Sequence, residues 1–280
     1  MTIRDFNNAI QLTNDGKLSF FFLGTGSAFT KVNFQNNVIV IKGNDHILID
    51  CGTLCPFSFS KFNSNITDIK NILITHSHAD HVGGLEEVAL MNMYVTKQRP
   101  KMILTDEYKK ILWNHTLRGG LSIRGEEGIR QNMNFDDYFE QIKPVKIKKA
   151  PRPFYHAGIG NIDLKIFRTK HLFSSKNNWN NCYYSVGVLI DDKVIFTSDS
   201  KCDPELIDWL CSEYKIEAIF HDCQFGQNAV HASYNELKET LTEDLKEITY
   251  LCHYSDGCET KDVTTDGFAG LVKRGVYYDL

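Results

Sequence analysis

The first 75 residues alternate between short apolar runs and segments of turn-forming residues. The runs at 18–23, 38–41, 47–49 and 71–75 are rich in Phe, Ile, Leu and Val, with polar or glycine-containing segments between them. Short apolar runs bounded by turn residues are typical of buried strands. This part of the chain therefore predicts strands in the interior of a sheet.

Helical periodicity alternates with further strand-like runs in the rest of the chain. Apolar residues at three- and four-residue spacing predict a helix over 83–94. A capping-box signature, Ser233 followed by Glu236, predicts another over 234–240. The mixture favours an α/β fold in one domain spanning 1–280. The remaining predicted elements are helices at 105–114 and 204–212 and strands at 101–104, 144–148, 162–168, 183–190, 193–197, 217–220 and 248–252.

Residues 115–140 fit neither pattern and are expected to form an irregular insert. They combine glycines, charged residues and an aromatic cluster. Such a stretch inside a compact chain is a candidate functional loop or lid. A solvated surface insert is the alternative that composition leaves open.

Charge and composition disfavour several classes of protein. Lys and Arg number 31 against 35 Asp and Glu, giving a formal net charge of −4, and hydrophobic residues make up 42%. This composition is typical of soluble globular proteins, and the acidic balance disfavours a general nucleic-acid binder. No apolar stretch of about 18 residues and no apolar signal segment is present, so we expect no membrane partner and a cytoplasmic protein. The eight scattered cysteines are then expected to be reduced thiols rather than disulfides or zinc ligands.

Four potential metal ligands fall within six residues, directly after the predicted strand at 71–75. His76 and His78 are alternate residues of an extended segment and should point the same way. Asp80 and His81 follow at a turn before the predicted helix. Imidazole and carboxylate suit zinc, iron or manganese, and burying so many polar groups without a partner is costly. The segment predicts a metal site with one pair of ligands for each of two ions.

This segment resembles the H-x-H-x-D-H signature of the metallo-β-lactamase fold superfamily, and residues 22–27 and 48–52 resemble further motifs of that family. The resemblance implies an αββα four-layer sandwich with two divalent metal ions, zinc in the first place and manganese as the alternative. It assigns His171, Asp199 and His253 as the remaining ligands, each after a predicted strand. It also implies that Asp50 orients a ligand. In this assignment one ion binds His76, His78 and His171, the other binds Asp80, His81 and His253, and Asp199 bridges the two.

A second pair of motifs resembles the RNase Z-like phosphodiesterases of the same superfamily. Asp222 lies in a segment after a predicted strand, and His231 follows nine residues later. In that branch an acidic residue and a histidine together protonate the leaving oxygen, a role that suits an imidazole held by a carboxylate. This chain has Asp222 where RNase Z has Glu. The alternative is that His231 is only a polar residue near a helix start.

The long arm of RNase Z is absent between His171 and Asp199, and the third-histidine motif of glyoxalase II is absent as well. Without that arm, the chain is similar to the phage anti-Pycsar cyclic nucleotide phosphodiesterases and their bacterial relatives. The resemblance implies hydrolysis of 3′,5′-cyclic CMP, UMP, AMP and GMP to nucleoside monophosphates, a homodimer, and action in the host bacterial cytoplasm. Asp80, Asp222 and His231 are the expected catalytic residues, and Arg118 and Arg124 in the insert are candidates for substrate binding.

Two other functions remain open from the sequence. An RNase Z-like endonuclease would act on RNA ends, although stable nucleic-acid binding is not expected at this net charge. A non-catalytic sponge would only sequester a nucleotide, but a sponge does not need the complete ligand set that this chain carries.

Overall fold

The computed structural model describes residues 1–126, 129–172, 179–226 and 230–280. Its strands are β1 (Thr2–Asp5), β2 (Ser19–Gly24), β3 (Asn37–Lys42), β4 (Asp45–Ile49), β5 (Asn71–Leu73), β6 (Lys101–Ile103), β7 (Ile123–Glu126), β8 (Ile129–Asn132), β9 (Glu140–Ile142), β10 (Val145–Lys146), β11 (Phe154–Ile159), β12 (Ile162–Arg168), β13 (Val186–Ile190), β14 (Val194–Phe196), β15 (Ala218–Asp222), β16 (Thr249–Cys252), β17 (Gly270–Leu271) and β18 (Val276–Asp279).

The helices are short, and several begin or end in a turn of another helix type. The α-helices are α1 (Cys55–Lys61), α2 (Ala79–Val82), α3 (Leu85–Met91), α4 (Asp106–Leu112), α5 (Arg118–Leu121), α6 (Phe135–Tyr138), α7 (Pro204–Glu213), α8 (Tyr234–Thr240) and α9 (Glu243–Lys246). Turns of 3₁₀-helix lie at Ile66–Asp68, Trp179–Asn181 and Thr264–Asp266, and turns of π-helix at Asn92–Thr96 and Trp113–Leu117. No helix of the described ranges is long and apolar enough to cross a membrane.

Two eight-stranded sheets form the centre of the molecule. The first has the order β1-β18-β2-β3-β4-β5-β6-β9 and the second the order β10-β11-β12-β13-β14-β15-β16-β17. Pairing is parallel from β4 to β9 and from β14 to β17, and antiparallel elsewhere in both sheets. The carboxyl ends of the parallel strands in each sheet therefore meet along one edge.

Successive side chains of a strand point to opposite faces of the sheet, so the position of a residue in its strand determines the layer into which its side chain packs. In β2, Phe20 and Phe22 pack between the two sheets, whereas Phe21 and Leu23 face the opposite side. That side of the first sheet is covered by α1, α3 and α4, and the outer side of the second sheet by α7 and α8. The result is a four-layer αββα sandwich, which confirms the predicted fold class.

The observed elements differ from the predicted ones near the histidine motif. The helix predicted over 83–94 is observed as α3 followed by a π-helical turn, and α2 is a separate helix that ends at Val82. A Cβ on Gly84 would lie 2.7 Å from the carbonyl oxygen of Gly52 and 2.9 Å from Sγ of Cys51, so the chain between α2 and α3 passes too close to this loop for a residue with a side chain. Helix α2 begins at Ala79 and places Asp80 and His81 on its first turns.

Residues 115–140 are more regular than the sequence predicts. They contain the end of a π-helical turn, α5, the β7–β8 hairpin and α6. Asn134 caps α6 through a capping box with Asp137, and Phe135 and Tyr138 join the core beneath the first sheet. Capping and burial of the aromatic residues account for this local order.

Candidate metal centre

The carboxyl ends of several strands deliver the predicted ligands to one edge of the sandwich. His76 follows β5, His171 follows β12, Asp199 follows β14 and His253 follows β16. Functional side chains in α/β sheets commonly collect at this edge, because loops there converge from neighbouring strands. Residues more than 170 positions apart in the sequence are thereby brought into contact.

The first cluster contains His76, His78, His171 and Asp199. Nε2 of His76 lies 3.0 Å from Nδ1 of His78, which lies 3.2 Å from Nε2 of His171. Oδ2 of Asp199 is 3.7 Å from Nε2 of His76 and 3.9 Å from Nε2 of His171. Four donor atoms thus converge on one point, in an arrangement that could hold a metal ion.

The second cluster contains Asp80, His81, His253 and the same Asp199. Oδ1 of Asp199 lies 3.2 Å from Nε2 of His81 and 3.2 Å from Nε2 of His253. Oδ2 of Asp80 lies 3.1 Å from Nε2 of His81 and 3.5 Å from Nε2 of His253. One oxygen of Asp199 therefore faces each cluster, as a bridging carboxylate requires.

Two properties of the donor atoms fit divalent metal ions. One is the distance between the atoms, and the other is that some of them lack another polar partner. Ligands about 2.1 Å from a tetrahedral zinc ion lie about 3.4 Å from one another, close to the separations in both clusters. Oδ1 of Asp199 and Nε2 of His81 are buried, and although they lie 3.2 Å apart, neither makes a well-aligned hydrogen bond within the described part of the chain. Buried polar atoms without a partner are costly, and a metal ion between them would remove that cost.

The first cluster favours neutral imidazoles. Burial lowers the pKa of His76 well below its ordinary value and lowers the pKa of His171 to about 4. The pKa of His78 is also lowered, again mainly by burial. Neutral imidazole is the form that binds a metal ion, so these histidines need not lose a proton near neutral pH.

The second cluster requires a positive charge. Burial by itself lowers the pKa values of His81 and His253, but the adjoining carboxylates, above all Asp199, raise both well above the ordinary value. The pKa of Asp199 is held well below its ordinary range: burial opposes this, but the neighbouring histidines outweigh it. The carboxylates are thus stabilised by cationic charge at this point, which protons or a divalent ion would supply.

The buried carboxylate of Asp50 contacts one of the candidate ligands through the ring nitrogen that does not face the cluster. Oδ2 of Asp50 lies 2.7 Å from Nδ1 of His81, and Oδ1 accepts a hydrogen bond of 2.8 Å from the backbone N–H of Thr75. The hydroxyl of Ser198 donates to that of Thr75 over 2.8 Å. The sequence predicts that Asp50 orients a ligand, and the structure shows that the side chain it contacts is His81. Nothing in the sequence marked Thr75 or Ser198.

The backbone around the centre adopts left-handed conformations that non-glycine residues seldom take. The φ angles are 64° at Asp50, 46° at Leu172, 51° at Ser198 and 62° at His253. Each costs about 1–3 kcal/mol and persists only where the surroundings determine it. Gly52 adds a close approach, because a Cβ there would lie 2.0 Å from the carbonyl oxygen of Asp80.

Asp222 and His231 form a hydrogen-bonded pair beside the two clusters. Oδ2 of Asp222 lies 2.7 Å from Nδ1 of His231, and Oδ1 lies 3.3 Å from Nδ1 of His253. Nδ1 of His231 is 3.8 Å from Oδ2 of Asp199. Burial lowers the pKa of His231, but the carboxylate of Asp222 more than compensates and raises it. The shorter aspartate side chain thus reaches the histidine.

A cavity of about 490 Å³ opens over these residues. It is lined by His78, Asp80, Asp199 and His231, and also by Phe29, Lys31, Gln35 and Leu54. Arg118 and Arg124 are not among its lining residues. Arg118 is exposed on α5, and the guanidinium of Arg124 lies 5.3 Å from the centre of the Tyr94 ring. The structure therefore places Phe29 and Lys31 at the site instead, and nothing in their local sequence indicated this.

A buried ion cluster links the loops that carry His171 and Asp199. Oδ2 of Asp203 accepts a hydrogen bond of 2.7 Å from Nη1 of Arg152, and Oδ1 lies 2.9 Å from Nζ of Lys170. The backbone N–H of Lys201 donates to the carbonyl oxygen of Lys170 over 2.7 Å. All three charged side chains are more than 90% buried. Asp203 is therefore the only carboxylate among the described residues that pairs with both cations.

Replacing Asp203 with alanine is expected to lower the free energy of unfolding by about 3–5 kcal/mol, because two buried cations lose their partner. Urea denaturation measures this value. Asp208→Ala, on the exposed side of α7, is the matched control and should change the free energy by less than about 0.5 kcal/mol. Equal, small changes in both variants would contradict the structural role of the ion cluster.

The sequence of this chain matches those of known proteins over most of its length. A family model described as "Anti-Pycsar protein Apyc1" matches residues 18–278. A protein of that name from Paenibacillus sp. (strain J14) is 32% identical over 256 residues, covering 91% of this chain and 96% of its own. Another from Bacillus phage BSP38 is 35% identical over 243 residues, covering 85% and 89%.

A solved structure extends the comparison of the fold. The metallo-β-lactamase fold protein YhfI from Bacillus subtilis superposes with a TM-score of 0.68, covering 94% of this chain and 100% of its own at 13% sequence identity. This likeness concerns the fold, and it agrees with the metallo-β-lactamase fold that the histidine motif indicated. The match over nearly the whole length, together with relatives above 30% identity, shows that the chain belongs to the anti-Pycsar Apyc1 family.

Proposed function

We propose that this protein is a phosphodiesterase with two divalent metal ions that hydrolyses 3′,5′-cyclic nucleotides to nucleoside monophosphates. The observation that carries the proposal is the position of Asp199, with one carboxylate oxygen toward each histidine cluster and the Asp222–His231 pair alongside. Its relatives are named anti-Pycsar proteins. The activity would accordingly remove a cyclic-nucleotide signal of antiphage defence in the host cytoplasm.

The residues that would hold the ions are His76, His78 and His171 on one side, Asp80, His81 and His253 on the other, and Asp199 between them. Bound divalent ions in such a pair supply Lewis-acid stabilisation and activate water near neutral pH. Zinc is the proposed ion, since imidazole and carboxylate ligands suit it, and manganese is the alternative. Asp50 would fix the ring of His81 through Nδ1 and leave Nε2 for the metal.

His231 would act as the general acid. Its Nδ1 is bonded to Asp222, so the proton for the leaving group would be held at Nε2. As the ring-opening P–O bond of the cyclic diester breaks, Nε2 would protonate the departing ribose oxygen, and Asp222 would stabilise the orientation and charge of the imidazole. The cavity of about 490 Å³ falls within the range of about 300–1,000 Å³ that is usual for small-molecule sites.

A direct assay tests the proposal. Purified protein with zinc or manganese is expected to convert cyclic CMP, UMP, AMP and GMP catalytically to nucleoside monophosphates, as followed by chromatography. A chelator should abolish the conversion because the ligands alone cannot activate water. Cleavage of RNA ends without turnover of any cyclic nucleotide would instead indicate an RNase Z-like nuclease. Binding that stops at one nucleotide per site would indicate a sponge.

The family resemblance also suggests a homodimer, which we include in the proposal. Analytical ultracentrifugation of the purified protein separates a species of twice the chain mass from a monomer. If the protein is dimeric, the insert residues Arg118 and Arg124 remain candidates for contact with substrate at the partner's site, although they lie outside the cavity of their own chain.

A further inference from the structure

Phe29 is the most exposed large hydrophobic residue among those that the structure describes. Its relative exposure is 90%, compared with 64% for Val95 and 61% for Val32. Unlike those two residues, Phe29 lines the cavity that also contains His78, Asp199 and His231. A ring exposed to this degree has no role in packing the core.

The loop that carries Phe29 is firmly held. The carboxylate of Asp256 accepts hydrogen bonds from the backbone N–H groups of Lys31, Val32 and Asn33, over 2.6, 3.0 and 3.0 Å. The hydroxyl of Thr30 also contacts this carboxylate. Hydrogen bonds to an ionised acceptor are about twice as strong as neutral ones. The loop therefore gains order from Asp256 rather than from burial of its apolar side chains.

Backbone pairing fixes the same loop at both ends. The N–H groups of Thr25 and Gly26 donate to the carbonyl oxygens of Asn33 and Phe34 over 3.0 and 2.7 Å, and the N–H of Thr30 donates to Ser27 over 3.2 Å. Gln35 adds a hydrogen bond of 3.2 Å from Nε2 to the carbonyl oxygen of Ala28. A ring displayed on such a loop loses little conformational entropy when a ligand stacks on it.

We propose that Phe29 is a stacking platform for the nucleobase of the substrate, held in place by Asp256. This inference rests on the proposed function and adds the element that recognises the base. The metal ligands and His231 would act on the phosphate and leaving oxygen, whereas Phe29 lines the same cavity without belonging to the ligand clusters or to the Asp222–His231 pair. Stacking accepts any base, because every base has a π face. A platform of this kind binds purines and pyrimidines without hydrogen-bond readout, and it favours the larger purine rings.

Phe29→Ala is expected to raise KM for cyclic AMP about ten-fold and KM for cyclic CMP by less, with kcat nearly unchanged. The loss should disappear with the cyclic 3′,5′-phosphate of 1-deoxyribose, which presents the same diester without a base. Phe29→Trp should retain the wild-type KM because it keeps an aromatic face. Val32→Ala is the matched control, since Val32 is an exposed apolar residue of the same loop outside the cavity.

Asp256→Ala tests the positioning part of the inference. It should raise KM for cyclic AMP as Phe29→Ala does, leave the base-free diester unaffected, and leave the bound metal content unchanged. A loss of metal, or an equal loss on both substrates, would show that Asp256 supports the metal centre rather than Phe29 and would overturn its assignment.

The outcomes separate this inference from the proposed function. Absence of turnover of every cyclic nucleotide by the unchanged protein would overturn the proposed function, and the inference with it. Turnover of cyclic nucleotides that Phe29→Ala leaves unaltered would overturn the inference alone. So would equal losses on the cyclic nucleotide and on the base-free diester, because stacking on a base cannot account for them.

Discussion

Replacing His76 and His78 together with alanine is expected to remove bound metal and to abolish turnover. These side chains supply two of the three ring nitrogens in the first cluster and lie 3.0 Å apart at those atoms. Without them, only His171 and one oxygen of Asp199 remain there, too few ligands for a stable divalent site. The loss should exceed that of the other variants, because every proposed step at the phosphate would depend on the ions.

Metal content by mass spectrometry and turnover of cyclic nucleotides measure the effect. The matched control is the double variant His115→Ala and His156→Ala, which also removes two histidines. His115 is exposed beyond α4 and His156 is exposed on β11, and neither belongs to a ligand cluster. The control should keep both metal and turnover. Normal activity in the variant of His76 and His78 would overturn the assignment of the metal centre.

Replacing His231 with alanine is expected to lower kcat for cyclic nucleotides by about 10²–10⁴-fold while bound metal is retained, as removal of a general acid does. The ribose oxygen is a poor leaving group and requires the proton. A p-nitrophenyl phosphodiester does not, because its leaving group departs as a stable anion near neutral pH. The same variant should therefore lose much less activity on that substrate.

The comparison of the two substrates distinguishes proton donation from mere support of the site. Equal losses on both would show that His231 positions the substrate or the ions rather than donating a proton. Asp222→Asn provides the graded control, since it preserves the shape of the partner of His231 but removes the carboxylate charge that raises its pKa. It should lower kcat for the cyclic nucleotide, as His231→Ala does, but by a smaller factor.

Part of the centre could be predicted because its signal is local. His76, His78, Asp80 and His81 fall within six residues, and the strand before them reads as apolar in the sequence. The distant ligands His171, Asp199 and His253 came only from resemblance to a family, since no spacing in one chain tells which strand ends will meet. The structure brings Asp199 and His253 together because β14, β15 and β16 are parallel neighbours, and His171 follows β12, which runs in the same direction as β14.

Other features could not be predicted because they arise from contacts between distant segments. The sequence does not mark Phe29 as part of the site, because its loop is held at the cavity by Asp256, which lies more than 220 residues later in the chain. Strand β11 was not predicted because Gly158 interrupts a short alternating run. Strand β18 was not predicted because it has only four residues, follows a glycine and basic residues, and shows little hydrophobic periodicity. Helix α3 begins at Leu85 rather than at residue 83, after the close approach of Gly84 to the loop at Gly52.

The place of β18 between β1 and β2 has a consequence for the order of folding. Until residues 276–279 have been synthesised, β2 has no neighbouring strand on one side, and the backbone N–H and C=O groups on that side lack their partners. Closing that gap joins segments about 250 residues apart, and contacts of such separation slow folding because a long loop must first be closed. The first sheet, although encoded almost entirely in the first half of the chain, is therefore completed last. An interrupted chain would present an apolar strand edge that invites association with other chains.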